Sequence, residues 1–232
     1  SYSMQFLMDN SLLSYAAQGG GRYRASDELI DLYKKYENEG VVDLRATTFL
    51  EPSSKYCPGF FFVRKSPDAS TKSGTSKIYD ACLIRSAEVY LNKAEAQAML
   101  DQTDAISTIK VLMNNRYKDG VLPAIDGLRG QALVDFIREE RRRELCLEGH
   151  RWFDLRRYAV TSKYAVAKQV KHGVYQSAMA NMQPGVYDGS YVLKAFGEEQ
   201  AWVLPIPDYE IIFNQGAMVD NAKRVTRVKM GN

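Results

Sequence analysis

The segment Ile137 to Arg157, IREERRRELCLEGHRWFDLRR, sets the tightest limit on what this chain can fold into. Seven arginines (138, 141, 142, 143, 151, 156, 157) face five carboxylates (Glu139, Glu140, Glu144, Glu148, Asp154), and the run ends in Trp152, Phe153 and Leu155. A solvated charge run rarely carries that apolar mass, and a nucleic-acid arm is rarely this rich in acid. Glu139 to Arg143 has i, i+4 spacing, and Glu140 to Arg143 and Asp154 to Arg157 have i, i+3 spacing. On an exposed helix each such pair contributes only ~0.2–0.5 kcal/mol. Among aromatic rings the same pairs define one docking geometry, because guanidinium groups bond carboxylates bidentately and stack on rings. The competing reading is an ordinary charged helix face with an apolar end.

Composition removes several classes. The chain has 232 residues, 45% hydrophobic and 25% charged, with net charge +3. That is ordinary for a globular protein, and basic residues interleaved with acids demand no nucleic-acid partner. No apolar stretch approaches the ~18–20 residues that span a bilayer, and the first ten residues carry no signal-peptide pattern. Cys57, Cys82 and Cys146 are odd in number and too widely spaced for a zinc or redox template. Cys82 and Cys146 fall in apolar helical patterns and read as buried small hydrophobes; Cys57 falls in a Pro/Gly-rich loop.

Along the chain, Tyr2, Met4 and Phe6 alternate with polar residues as in a strand. Gly19-Gly20-Gly21 follows, without the lysine or spacing of a phosphate cradle. Ser26 caps a helix through Glu37, with Leu29, Ile30, Leu32 and Tyr33 as its apolar face. Strands are expected at Ala46 to Leu50 and Phe60 to Val63. Leu83, Ala87, Tyr90, Leu91, Ala94 and Ala98 fall at helical spacing, and after the turn 101–104 so do Ala105, Ile106, Ile109, Leu112 and Met113. Two antiparallel helices with alanines at close contacts resemble one tetratricopeptide-type unit. A third helix is expected from Leu128 to about Leu147, with Gly149 as its breaker and a further turn or two at Trp152 to Tyr158. Residues 159–200 read as a long loop region with short strands. Leu204 to Pro207 is held extended by proline, and Asp208 caps a short helix, Tyr209 to Phe213. The fold class is therefore mainly α, with irregular loops and a few short strands.

Four blocks of the chain, in the family's order, resemble the SusD/RagB family. Glu140, Arg141, Glu144, Leu145, Glu148, Gly149, Arg151, Phe153, Asp154, Leu155 and Arg157 match its signature E-R-x-x-E-L-x-F-E-G-x-R-x-F-D-L-x-R, with Leu147 at the usual Phe. Ile84 to Ala96 resembles the family's R-x-A-E-x-Y-L-x-x-A-E-A helix. Trp202 to Pro207, with Glu210 and Asn214, resembles its L-x-P-I-P-x-x-E-x-x-x-N block. Arg22 to Tyr33 and Asp43-Leu44-Arg45 resemble the entry into this region. The tail departs from the family's closing pattern.

The resemblance implies a SusD-like fold in which 1–232 is the C-terminal region, without the N-terminal helical repeats and the lipoprotein signal. It implies a non-enzymatic protein at the outer surface of a Bacteroidetes-type outer membrane. Such proteins bind nutrient glycans and deliver them to a SusC-like TonB-dependent transporter, touching the membrane only through a lipid anchor not present in this chain. No cofactor or metal is implied. Signature residues Glu140, Arg141, Glu144, Glu148, Arg151, Asp154 and Arg157 are expected to be structural, pinning the aromatic end of the third helix to the remaining fold. Within the family the ligand pocket draws on loops of this region, here Tyr2 to Tyr23 and Lys55 to Lys77. Tyr15, Tyr23 and Tyr56 are the ligand-binding candidates, since tyrosine joins an apolar face to a hydroxyl. Packing is the bland alternative for each.

No catalytic set is evident. His150 and His172 are the only histidines, and His150 sits inside the charged signature, where a structural role is the commoner one. No G-x-S-x-G elbow occurs. Carboxylates surrounded by arginines stay ionised and do not suit acid catalysis. The alternatives to nutrient capture are a tetratricopeptide-like scaffold for proteins or peptides, which calls for several helix pairs where one is found, and a glycoside hydrolase, which calls for a carboxylate pair away from arginines.

Overall fold

A computed structural model describes residues 25–52, 61–63, 85–146, 148–175, 187–222, 226 and 228–231. The chain divides into two units: residues 1–151 with 177–186, and residues 152–176 with 187–232.

In the first unit, α1 (Asp27–Lys34) starts where Ser26 Oγ accepts the Leu29 amide at 3.3 Å. It buries Leu29, Ile30 and Tyr33 and ends earlier than the spacing suggests, giving way to a 3-10 turn at Glu37–Glu39 closed by Gly40 at φ +76°. Residues Ala25, Leu29, Ile30, Tyr33, Leu50 and Cys146 form one apolar core, with Ala46 and Phe49 against it.

The strand expected at Ala46 to Leu50 is instead α2 (Arg45–Thr48) followed by β1 (Leu50–Pro52). Thr47 and Thr48 favour strands by propensity. Here the Asp43 carboxylate accepts the Arg45 amide at 2.9 Å, and both threonine hydroxyls bond the Leu44 carbonyl. Local side-chain bonding therefore holds a helical turn. β1 pairs antiparallel with β2 (Phe61–Val63), in register Leu50 with Val63.

α3 (Ser86–Met99) and α4 (Ala105–Met113) form the expected helix pair, and α3 also packs on α5 (Gly130–Glu144). Alanines 87, 94, 98 and 105 are buried with Leu91, Ile109 and Met113. Thr108 donates to Gln97 across the pair at 2.7 Å. Tyr90, expected in the apolar stripe, is 39% exposed.

α5 carries the charged signature and is shorter than Leu128 to Leu147. It ends at Glu144 with Leu145 as its cap, before Gly149, the expected breaker; Gly149, at φ +82°, instead directly precedes α6 (His150–Val160), which extends two residues beyond the expected Trp152 to Tyr158 at each end.

In the second unit, the region expected to be mostly loop contains a hairpin. β3 (Val170–Tyr175) and β4 (Tyr187–Leu193) pair antiparallel, with His172 opposite Tyr191 and an irregularity near Gly173. Trp202 is the core of this unit. It is 1% exposed, lies 4.6 Å from the Trp152 ring, meets Phe196 edge-on, and donates its indole N–H to the Lys194 carbonyl at 2.8 Å. The closing helix α7 (Asp208–Phe213) begins one residue earlier than expected. Pro207 occupies the cap position, and Asp208 is the first helical residue, where a negative charge suits the helix dipole.

Candidate functional site

The C-terminal half of α5 buries Arg138, Glu140, Arg141, Arg143 and Glu144. Buried charge survives only when paired and hydrogen-bonded, and the fold brings partners from three separate segments. Residues 42–44 lie antiparallel to 116–118, with Leu44 N–H bonding Arg116 O and Lys118 N–H bonding Val42 O, both at 2.9 Å. This short ladder sets Arg45 and Arg116 beside α5. Arg85, just before α3, arrives from a third direction.

Glu144 is the centre. It accepts from Arg45 Nη1 at 2.9 Å and from Arg85 Nη1 at 2.7 Å. Arg116 bonds it bidentately through Nε at 2.9 Å and Nη2 at 3.0 Å. One turn earlier, Glu140 meets Arg45 Nη1 at 2.8 Å and Arg143 Nη2 at 2.8 Å, and accepts the Tyr117 hydroxyl at 3.0 Å. Asp43 closes one side with a bidentate bond from Arg45, at 2.8 and 2.7 Å. Glu148 closes the other with a bidentate bond from Arg85, at 2.7 and 2.9 Å. Four guanidinium groups (45, 85, 116, 143) thus meet four carboxylates (Asp43, Glu140, Glu144, Glu148), so the cluster is formally neutral. Rings complete it: Arg45 lies over Tyr117, and Arg143 over Tyr36 and Phe136.

The electrostatics follow from this packing. Burial pushes the Glu140 carboxyl up, but Arg45 and Arg143 overcome it and hold the group at about 2. Glu144 is likewise pushed up by burial and brought down to about 2 by Arg116, Arg85 and Arg45. Burial raises Tyr117 and Tyr33 well above the ordinary phenol range, reinforced by Glu140 for Tyr117 and by Cys146 for Tyr33. Tyr33 donates to the Arg143 carbonyl at 2.6 Å and lies 3.2 Å from Cys146 Sγ. Carboxylates this acidic and this enclosed neither donate nor accept a proton near neutral pH. The cluster is an ionic joint between chain segments.

The signature residues do not all enter it. Arg141 bonds Asn92 at 2.8 Å and lies near Glu88 and His150, joining α5 to α3. Arg151 is half-buried in the first turn of α6. Asp154 and Arg157 belong to the second unit and pair with each other at 3.3 Å. Glu140 to Arg143 forms as spaced, whereas Glu139 turns outward and bonds Lys35. Glu140 and Glu144 tie α5 to the segments of Arg45, Arg85 and Arg116, while Trp152 packs on Trp202 and Phe153 is 68% exposed.

Arg85 and the Asp43–Arg45 stretch lie in sequence blocks already tied to the family. Arg116 and Tyr117 carried no signal, because they join the cluster through a backbone ladder with residues over 70 positions away. A second buried pair, Arg138 with Glu95 at 3.0 Å, also crosses between α5 and α3. Tyr15, Tyr23 and Tyr56, with most of the two loops proposed for ligand contact, lie outside the described residues, as do Cys57 and Cys82. Among the described residues no cluster of His, Cys, Asp and Glu is arranged to hold a metal ion, and no helix is long and apolar enough to cross a membrane.

The chain is 40% identical over 79 residues to the SusD-like protein P38 of Formosa agariphila, an alignment covering 32% of this chain and 16% of that relative. No solved structure matches. The SusD family model matches residues 21–223, a span that includes every residue of the ionic joint, and the chain belongs to the SusD family.

Proposed function

We propose that this chain is the C-terminal region of a cell-surface protein that binds nutrient glycans without cleaving them and passes them to a TonB-dependent outer-membrane transporter. The family match over residues 21–223 carries this reading. The joint supports binding over hydrolysis. A glycosidase needs a carboxyl group that keeps its proton near neutral pH, whereas Glu140 and Glu144 are held ionised by arginines on every side. In this reading the joint is scaffold, and recognition falls to aromatic side chains elsewhere in the chain, with Tyr15, Tyr23 and Tyr56 as the candidates. Rings stack on the C–H faces of sugars while hydroxyls bond to polar neighbours. Anchoring to the outer membrane through an acylated cysteine belongs to the same proposal, as does partnership with a SusC-like transporter.

The test is calorimetry of this chain, and of a longer form carrying the rest of a SusD-like protein, against a panel of soluble polysaccharides. Saturable binding of one glycan with no release of reducing ends is the expected result. Release of reducing ends would make the protein a hydrolase. Failure of both forms to bind any glycan, with binding of peptides instead, would replace the reading by a peptide scaffold.

A further inference from the structure

The edge of β4 not paired with β3 is occupied by residues 228–231 of the same chain. Ser190 and Met230 exchange both backbone hydrogen bonds, Ser190 N–H to Met230 O at 3.0 Å and Met230 N–H to Ser190 O at 2.9 Å. Lys229 reaches back to Asp188 at 2.8 Å. Gly189 makes the approach possible. Its φ is +98°, and a Cβ built there would stand 2.3 Å from the Met230 carbonyl oxygen. No other residue type fits against that backbone.

What the segment leaves undone is as informative. Val228 is 79% exposed and Met230 57% exposed, so their apolar side chains are not buried by docking. The Lys229–Asp188 pair is itself more than a third exposed on both sides, where ion pairs contribute little. Among the described residues, the segment is held by one reciprocal pair of backbone bonds, the exposed Lys229–Asp188 pair and the shape of a single glycine. That is a weak attachment for a strand.

We propose that residues 228–231 form a reversible strap, seated on β4 by Gly189, which opens while the β3–β4 hairpin stays intact. Opening uncovers the Ser190 N–H and C=O together.

Hydrogen exchange on the full chain tests this. Bonds alternate in direction along an antiparallel strand. Ser190 therefore reports the strap, and Tyr191, opposite His172 of β3, reports the hairpin. In the unaltered chain the Ser190 and Met230 amides exchange together, at least about tenfold faster than Tyr191. Gly189→Ala removes the protection of Ser190 and leaves Tyr191 within about twofold of its original rate. Lys229→Glu, an exposed change that sets like charges at Asp188, accelerates Ser190 in the same sense without touching the glycine. Exchange of Ser190 in step with Tyr191 in the unaltered chain overturns the proposal and makes 228–231 a fixed third strand. So does full protection of Ser190 in both variants.

Discussion

Arg45 and Glu144 stand 99 residues apart in sequence and meet at 2.9 Å, each side chain at most 2% exposed. Neither belongs to the other's element. Their bond ties the start of α2 to the C-terminal end of α5, where Glu144 also meets Arg85 and Arg116. Glu140, Glu144 and Glu148 of the signature are therefore one half of a joint whose other half is dispersed along the chain.

Glu144→Gln leaves three guanidinium groups with one negative charge too few in a site that water hardly reaches. Removing one partner of a buried ion pair costs about 3–5 kcal/mol. The midpoint of urea unfolding followed by circular dichroism should fall accordingly. Glu139→Gln is the control, since its carboxylate bonds the half-exposed Lys35 and should cost under about 1 kcal/mol. Equal costs for the two variants would show that the joint contributes no more than a surface pair.

Acid should loosen the first unit through the same carboxylates. Glu140 and Glu144 sit at about 2 in the folded chain against an ordinary value of 4.5. A depressed folded value means that the unfolded chain takes up protons first. The stabilisation is complete above about 4.5 and is lost as pH falls through about 2. Unfolding free energy should therefore decline across that window. Glu144→Gln should show a smaller decline, because one of the two titrating groups is gone. A slope unchanged by the substitution would assign the acid sensitivity to other carboxylates.

Tyr117→Phe removes the hydroxyl that Glu140 accepts at 3.0 Å and keeps the ring beneath Arg45. A hydrogen bond to a buried charged group contributes about 1.5–3 kcal/mol, so a loss in that range is expected in chemical denaturation. Tyr117→Leu should cost more, since the ring also goes. If the two variants are equally stable, the cation–ring contact contributes nothing measurable.

The sequence showed the joint from one side. α5 declared itself by dense charge with apolar spacing, and α3 and α4 by alanines and leucines at helical intervals. Arg45 and Arg85 were visible as members of the blocks that resemble the family. The remainder was hidden for physical reasons. Asp43 turns residues 45–48 into a helix through a bond from its own side chain, which overrides the strand preference of Thr47 and Thr48. Arg116 and Tyr117 are brought in by a backbone ladder with Val42 and Leu44 that leaves no side-chain pattern. Short strands were legible within 159–200 but not their bounds or pairing, because Gly173 and Gly189 interrupt the alternation that marks strands.

Trp202→Phe probes the second unit. The chain has two tryptophans, Trp152 and Trp202, and they are stacked on each other, so the variant leaves Trp152 as the sole indole reporter in a core it shares. The substitution keeps a ring against Trp152 and Phe196 but loses the indole N–H that the Lys194 carbonyl accepts at 2.8 Å. It also shrinks a side chain that is 1% exposed. The lost bond costs about 1 kcal/mol, and the missing volume adds a cavity penalty. Trp152 emission should report unfolding at a lower denaturant concentration and, in the native state, shift to the red as the smaller Phe ring covers less of it. Unchanged emission and midpoint would mean that the two rings are not stacked in solution, and that Trp202 is not the centre of this unit's core.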